Sequence, residues 1–141
     1  MGHKLGAYHH LPHGVTVGLV LDEVMRFNAE EVPTKMGTFP QYEYPHALRR
    51  YAQIADSLNL GGNTDKEKLE RVINKIDDLK ERVGFKKTIK DYGISEEDFL
   101  STLDEMSEKA FDDQCTGANP RYPLISEIKE IYLKTYYGAE N

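Results

Sequence analysis

Apolar residues recur at helical spacing along most of the chain, and no stretch keeps the two-residue alternation of a half-buried strand. From Pro12 onward Val15, Leu19, Val20, Val24 and Phe27 form one stripe while Asp22, Glu23 and Arg26 face elsewhere, which predicts a core helix with one wet side. Leu48, Tyr51, Ala52, Ala55 and Leu58 predict a second helix, with Gly61-Gly62 supplying its C-terminal cap. Thr64 with Glu67 three residues on reads as a capping box, and Leu69, Val72, Ile73, Ile76, Leu79 and Val83 continue the stripe to Gly84. The charges between them are a solvated helix face. After a short turn over 88–93, Ser95 with Asp98 is another box, opening a helix that carries Phe99, Leu100, Leu103, Met106 and Ala110 and runs out near Asp112. Leu124, Ile125, Ile128, Ile131, Tyr132 and Tyr136 mark a last helix, whose aromatic end packs inside the domain or against another subunit. The predicted fold is an all-α bundle, and no internal repeat interrupts it.

Two connections carry more than linker chemistry. Residues 30–45 contain Pro33, Gly37, Pro40 and Pro45 together with Phe39, Tyr42 and Tyr44, so an ordered loop pinned by its aromatics is expected there. Residues 112–123 are polar and punctuated by Gly117, Pro120 and Pro123. Asp112 and Asp113 are adjacent and point apart on a helix, so they suit a helix end or a loop anchor better than the chelation of one hard cation. Asn119 can hydrogen-bond its own turn and Arg121 can fix a carboxylate bidentately, which makes the segment a structural clasp.

Composition narrows the function classes. A chain of 141 residues suits one domain, and a net charge of −6 without a basic patch argues against nucleic acid and anionic membrane surfaces as partners. The longest apolar run, 15–21, falls far short of the roughly 20 residues a spanning helix needs. No signal peptide opens the sequence, so a cytoplasmic location is expected. The lone Cys115 has no second cysteine for a disulfide or a shared zinc, which fits a reducing compartment. A packed thiol is expected there rather than a nucleophile.

The candidate chemistry lies at the start. HKLGAYHHLPHG, residues 3–14, holds four of the five histidines, and imidazole is both the commonest transition-metal ligand and the side chain that titrates nearest neutrality. The cluster is therefore a metal site, a proton relay, or a set of ordinary surface and core histidines. His9 and His13 stand four apart, but Pro12 lies between them and prevents one helix from carrying both. Pro12 suits the first position of a new helix, with His13 next. There the positive end of the helix dipole disfavours an imidazolium, and Gly14 leaves room for a metal or cofactor to approach.

The same segment, followed by an apolar helix and Arg26-Phe27-Asn28, resembles the second metal-binding motif of the iron-containing alcohol dehydrogenases. That motif has a histidine, three residues, a second histidine, nine residues and a third histidine before a glycine. The first and third bind the metal and the middle one handles protons beside the nicotinamide. His3 falls on the middle position and His13 on the third, while the first would precede Met1. TKMGTFPQYEYP (34–45), RYAQIADSLNLGG (50–62) and FDDQCTGANPRYPLISEIKEIYL (111–133) are similar to the C-terminal part of the bifunctional aldehyde/alcohol dehydrogenases. One departure stands out. After Pro-His-Gly the family commonly reads Val-Ala-Asn-Ala, where this chain has Val15, Thr16, Val17 and Gly18.

The resemblance implies the later part of a C-terminal helical metal-binding domain, of the dehydroquinate synthase-like fold, over residues 1–141. The NAD-binding domain would lie outside this chain, which has no Gly-rich turn between a strand and a helix to cradle a pyrophosphate. It implies His13 as a metal ligand and His3 as the catalytic, nicotinamide-facing residue. The cofactors would be ferrous ion, or zinc in its place, and NAD(H), both requiring the rest of the enzyme. Substrates would be a small alcohol or aldehyde, and partners the remainder of the enzyme and further copies in an oligomer or filament. The isolated chain would be inactive. A stand-alone helical interaction or assembly protein, keeping the fold without catalysis, is the alternative.

Overall fold

The computed structural model describes residues 1–39 and 43–138. Six α-helices are present among them: α1 (Gly2–His9), α2 (His13–Asn28), α3 (Ala47–Ser57), α4 (Asp65–Arg82), α5 (Glu96–Phe111) and α6 (Ile125–Tyr137). The described residues form no strand, only an isolated antiparallel bridge between Met36 and Arg121, so the all-α expectation holds. The chain divides into two compact units, one of residues 1–24, 86–117 and 123 onward, the other of residues 25–85 and 118–122.

The first unit packs α5 against both α1 and α6. Its core is Leu5, Leu19, Val20, Ile89, Phe99, Leu103, Met106, Ile128, Tyr132 and Tyr136, all buried. The Phe99 and Tyr136 rings stack at 4.3 Å. A buried phenol keeps its hydroxyl only if that group is bonded. Tyr136 donates to the Ile94 carbonyl at 3.0 Å and Tyr132 to the Met1 carbonyl at 2.8 Å. Of the two expected homes for the aromatic end, Tyr132 and Tyr136 therefore take the interior, whereas Tyr137 stays exposed beside Glu96.

The caps of this unit follow the sequence closely. Ser95 caps α5 by accepting from the Asp98 N–H at 3.1 Å, and its hydroxyl donates to the Asp98 carboxylate at 2.6 Å. The turn before it is a reciprocal pair, Thr88 N–H to Asp91 Oδ2 and Asp91 N–H to Thr88 Oγ1, which fixes a single 3-10 turn at Lys90–Tyr92. Two expectations shift. α2 begins at His13, because the Pro12 carbonyl already accepts from Thr16 and so makes Pro12 the cap. Its buried line is Thr16, Leu19 and Val20, with Val15 only half-buried and Asp22 and Glu23 no fully wet face. Thr16 can be buried because its hydroxyl donates to the His13 carbonyl at 2.9 Å.

In the second unit α3 packs on α4 through Ala52 and Ala55 on one side and Leu69, Val72 and Ile73 on the other. α3 ends one turn before the glycines. Asn59, at φ 53°, takes the left-handed position, and the Leu60 N–H reaches back to the Ala55 carbonyl, so Asn59 caps the helix and Gly61-Gly62 form the turn that follows. Thr64 caps α4 by accepting from the Glu67 N–H at 3.2 Å, but the Glu67 carboxylate accepts from Asn63 at 2.7 Å, one residue before the expected box partner. The α4 stripe is buried only in its first half, since Leu79 and Val83 are 51% and 79% exposed.

Backbone bonds hold the described part of the loop after α2. Gly37 donates to the Pro120 carbonyl and Tyr122 to the Lys35 carbonyl, both at 2.9 Å, around the Met36–Arg121 bridge. Phe39 and Tyr44 are exposed, and Pro40 and Tyr42 lie outside the described residues. The clasp over 118–122 is real with different partners. Asn119 Nδ2 donates to the Arg121 carbonyl within its own turn, as expected, and to Asn28 Oδ1 at 2.7 Å. Arg121 lays its guanidinium over the Phe27 ring at 3.8 Å and donates to the Phe27 carbonyl at 2.9 Å.

Candidate functional site

α1 is the element that brings the histidines together. It ends at His9 because His10 turns left-handed at φ 56°, and Leu11 and Pro12 then hand the chain to α2. The helix returns across α2 at very short range. A Cβ added to Gly2 would sit 2.9 Å from Val17 Cγ2, so glycine allows this approach without moving that side chain. In the motif the sequence resembles, the Val17 position carries an asparagine, so this chain meets Gly2 with a methyl group where an amide would stand.

The result is a pair. His3 on α1 and His13 at the first position of α2 have ring centroids 5.0 Å apart, and both side chains are exposed. Beside Gly14 no atom lies within 4 Å of where a Cβ would be. The other two histidines of the cluster are elsewhere: His10 caps α1, and His9 is half-buried, its Nε2 3.0 Å from Thr102 Oγ1 and its ring against Phe99. Burial lowers the His9 pKa from its ordinary value. His9 is thus a packed histidine.

The acidic pair separates into roles. Asp112 ends α5 and is exposed, while the Asp113 side chain is 12% exposed. Asp113 Oδ1 accepts from the Cys115 N–H at 2.9 Å, and Oδ2 lies 3.0 Å from Lys4 Nζ and 4.0 Å from His3 Nδ1. The bond from Cys115 and the ammonium of Lys4 hold its carboxyl down to about 2. It is a loop anchor, as read from the sequence, and also a fixed anion beside His3, which no local pattern announces. Cys115 is exposed, contrary to the packed thiol expected, because it lies on the rim of the loop that Asp113 ties down.

Among the described residues no group of three His, Cys, Asp or Glu stands close enough to hold an ion. What these residues offer is two accessible imidazoles side by side. Among the same residues no helix is long and apolar enough to cross a membrane.

Residues 1–136 match the family model for the C-terminal part of the Fe-containing alcohol dehydrogenases. The chain belongs to that family. It is 51% identical to the bifunctional aldehyde-alcohol dehydrogenase AdhE of Escherichia coli strain K12, over 99% of this chain and 16% of that protein. It is 52% identical to the aldehyde-alcohol dehydrogenase of Clostridium acetobutylicum, over 96% of this chain and again 16% of the relative. Among solved structures, the iron-containing alcohol dehydrogenase from Thermococcus thioreducens superposes with a TM-score of 0.71 at 34% identity, covering 97% of this chain and 30% of that one. A 1,3-propanediol oxidoreductase gives a TM-score of 0.74 at 25% identity, covering 96% and 31%. The chain thus spans about a sixth of the bifunctional relatives, and iron-containing alcohol dehydrogenases share its helical fold.

Proposed function

We propose that residues 1–141 are part of the C-terminal helical domain of an iron-dependent enzyme that interconverts a small aldehyde and its primary alcohol with NAD(H), in the cytoplasm of a fermenting cell. The observation that carries this reading is the His3–His13 pair, two exposed rings 5.0 Å apart on separate helices, in a chain of this family. His13 is the metal ligand. Its place at the start of α2 fixes its backbone, and the open space by Gly14 leaves the ring accessible. Bound ferrous ion, or zinc in its place, supplies a Lewis acid that polarises an alcohol or carbonyl oxygen. His3 stands alongside without being a ligand and takes up or returns the proton that oxidation or reduction moves. The remaining ligands and the nicotinamide site come from residues beyond these, and the partners are the rest of the enzyme and further copies of it.

The test is metal content measured beside rate in the complete enzyme. His13→Ala should lose both, because one ligand of a small set is gone. His3→Ala should keep the metal and slow by roughly 100- to 10,000-fold, the span of general acid–base help. An emptied site in His3→Ala with a filled one in His13→Ala would reverse the assignment.

A further inference from the structure

We propose that Asp113 is the positioning residue for His3, orienting the ring through Nδ1 so that Nε2 is the nitrogen that exchanges the proton. The inference rests on the proton-handling role proposed for His3. Three observations carry it. The carboxylate is fixed before it meets the histidine, by the Cys115 N–H at 2.9 Å on one oxygen and by Lys4 Nζ at 3.0 Å on the other. It is nearly enclosed, at 12% exposed, while His3 is 59% exposed and has little else to set its ring angle besides the His13 ring at 5.0 Å. And it faces one ring nitrogen selectively, with Oδ2 4.0 Å from Nδ1.

Because the two nitrogens of an imidazole point in opposed directions, an anion at Nδ1 favours the tautomer with its proton there and leaves Nε2 as the acceptor. A separation of 4.0 Å is ion-pair range and longer than a hydrogen bond, and a small ring rotation closes it, as catalytic contacts commonly tighten when substrate is bound. Lys4, the next residue on α1, shares the same oxygen and anchors the carboxylate against the helix that carries His3.

Asp113→Asn separates this role from loop anchoring, because an asparagine oxygen still accepts the Cys115 N–H while the charge facing Nδ1 is gone. In the iron-loaded complete enzyme, Asp113→Asn should lower kcat by roughly 10- to 100-fold, the usual effect of losing an orienting partner, with KM and iron content unchanged, while the lost Lys4 pair lowers the melting temperature alike with or without His3. Asp113→Glu, which keeps the charge, should recover part of the rate. In a His3→Ala background Asp113→Asn should cost nothing further, since it acts through that ring. Equal slowing in both backgrounds would overturn the inference and leave the role of His3 standing. Loss of iron in step with rate would make Asp113 a structural clasp and overturn it too. Normal turnover by His3→Ala would instead remove the role of His3, and this inference with it.

Discussion

The histidine cluster of the first unit and the clasp of the second both gather polar side chains, and they leave them in different states. In the clasp, Asn28 is 9% exposed and bonded to Asn119, Asn119 also holds the Arg121 carbonyl, and Arg121 engages the Phe27 carbonyl and ring. Tyr51, its pKa raised by burial, shares the Asn28 side chain. At the other end His3 and His13 are exposed, and the groups nearest them, Asp113 and Lys4, are satisfied by each other. A network whose members bind one another stabilises a connection, whereas an open pair beside a fixed anion adds little stability and leaves its rings accessible. Residue type alone does not separate the two.

The sharpest way to break the contrast is through packing. If apolar stacking supports the histidine end, Phe99→Ala should cost about 3–5 kcal/mol in urea unfolding, because it empties the space against Tyr136 and beside His9. A loss near 1 kcal/mol, the size of one hydrogen bond, would mean that polar contacts carry that end instead.

The next comparison crosses the two clusters. Asn28→Ala leaves one Asn119 amide N–H without its acceptor and should cost about 1–3 kcal/mol. Metal content should be untouched. His13→Ala should leave the stability of the metal-free protein within about 0.5 kcal/mol, as exposed substitutions do. Denaturant melts of both variants, run without metal, decide whether the clasp is structure and the pair is not.

The smallest effect is on pH. Burial depresses the His9 pKa in the folded state, so folding favours the neutral ring. Its contribution is fully present above the unfolded value of about 6.5 and is lost as pH falls below it, because the unfolded chain then binds the proton more readily. His9→Gln, which can keep a bond to Thr102, should flatten the fall of stability on that acid side. An unchanged slope would place His9 in water.

Helices with local signals were legible in the sequence. Thr64 and Ser95 announce α4 and α5 because a cap is decided within three residues, and both accept the N–H bonds expected of them. α1 was not legible as a helix, since only Gly2 and Leu5 of its eight residues are buried, too few to make a stripe. Thr16 and Asn28 were missed as core because side chains that satisfy themselves locally, or join a remote amide, do not register as apolar pattern. Gly61-Gly62 misled for a related reason: Asn59 can also adopt the left-handed position and comes first. The positions of His3 and His13 came from motif register, but their adjacency depends on a left-handed His10 and on Gly2. The approach of Asp113 to His3 depends on α5 ending where it does, and no spacing along the chain encodes it.

The contact at Gly2 bears on how freely the surroundings of the pair can drift. Because α1 meets Val17 with hydrogen in place of a side chain, the separation between the two helices there is set by backbone against one methyl group. A methyl group at residue 2 would meet that side chain first, at 2.9 Å from Cγ2, and the Val17 backbone only at 3.3 Å and beyond. Val17 is 41% exposed, so its rotamer gives before the helices part. Residues 2 and 17 therefore share one small volume, and the imidazoles keep their spacing when the two exchange bulk with each other, like two leaves trading thickness around a fixed hinge pin.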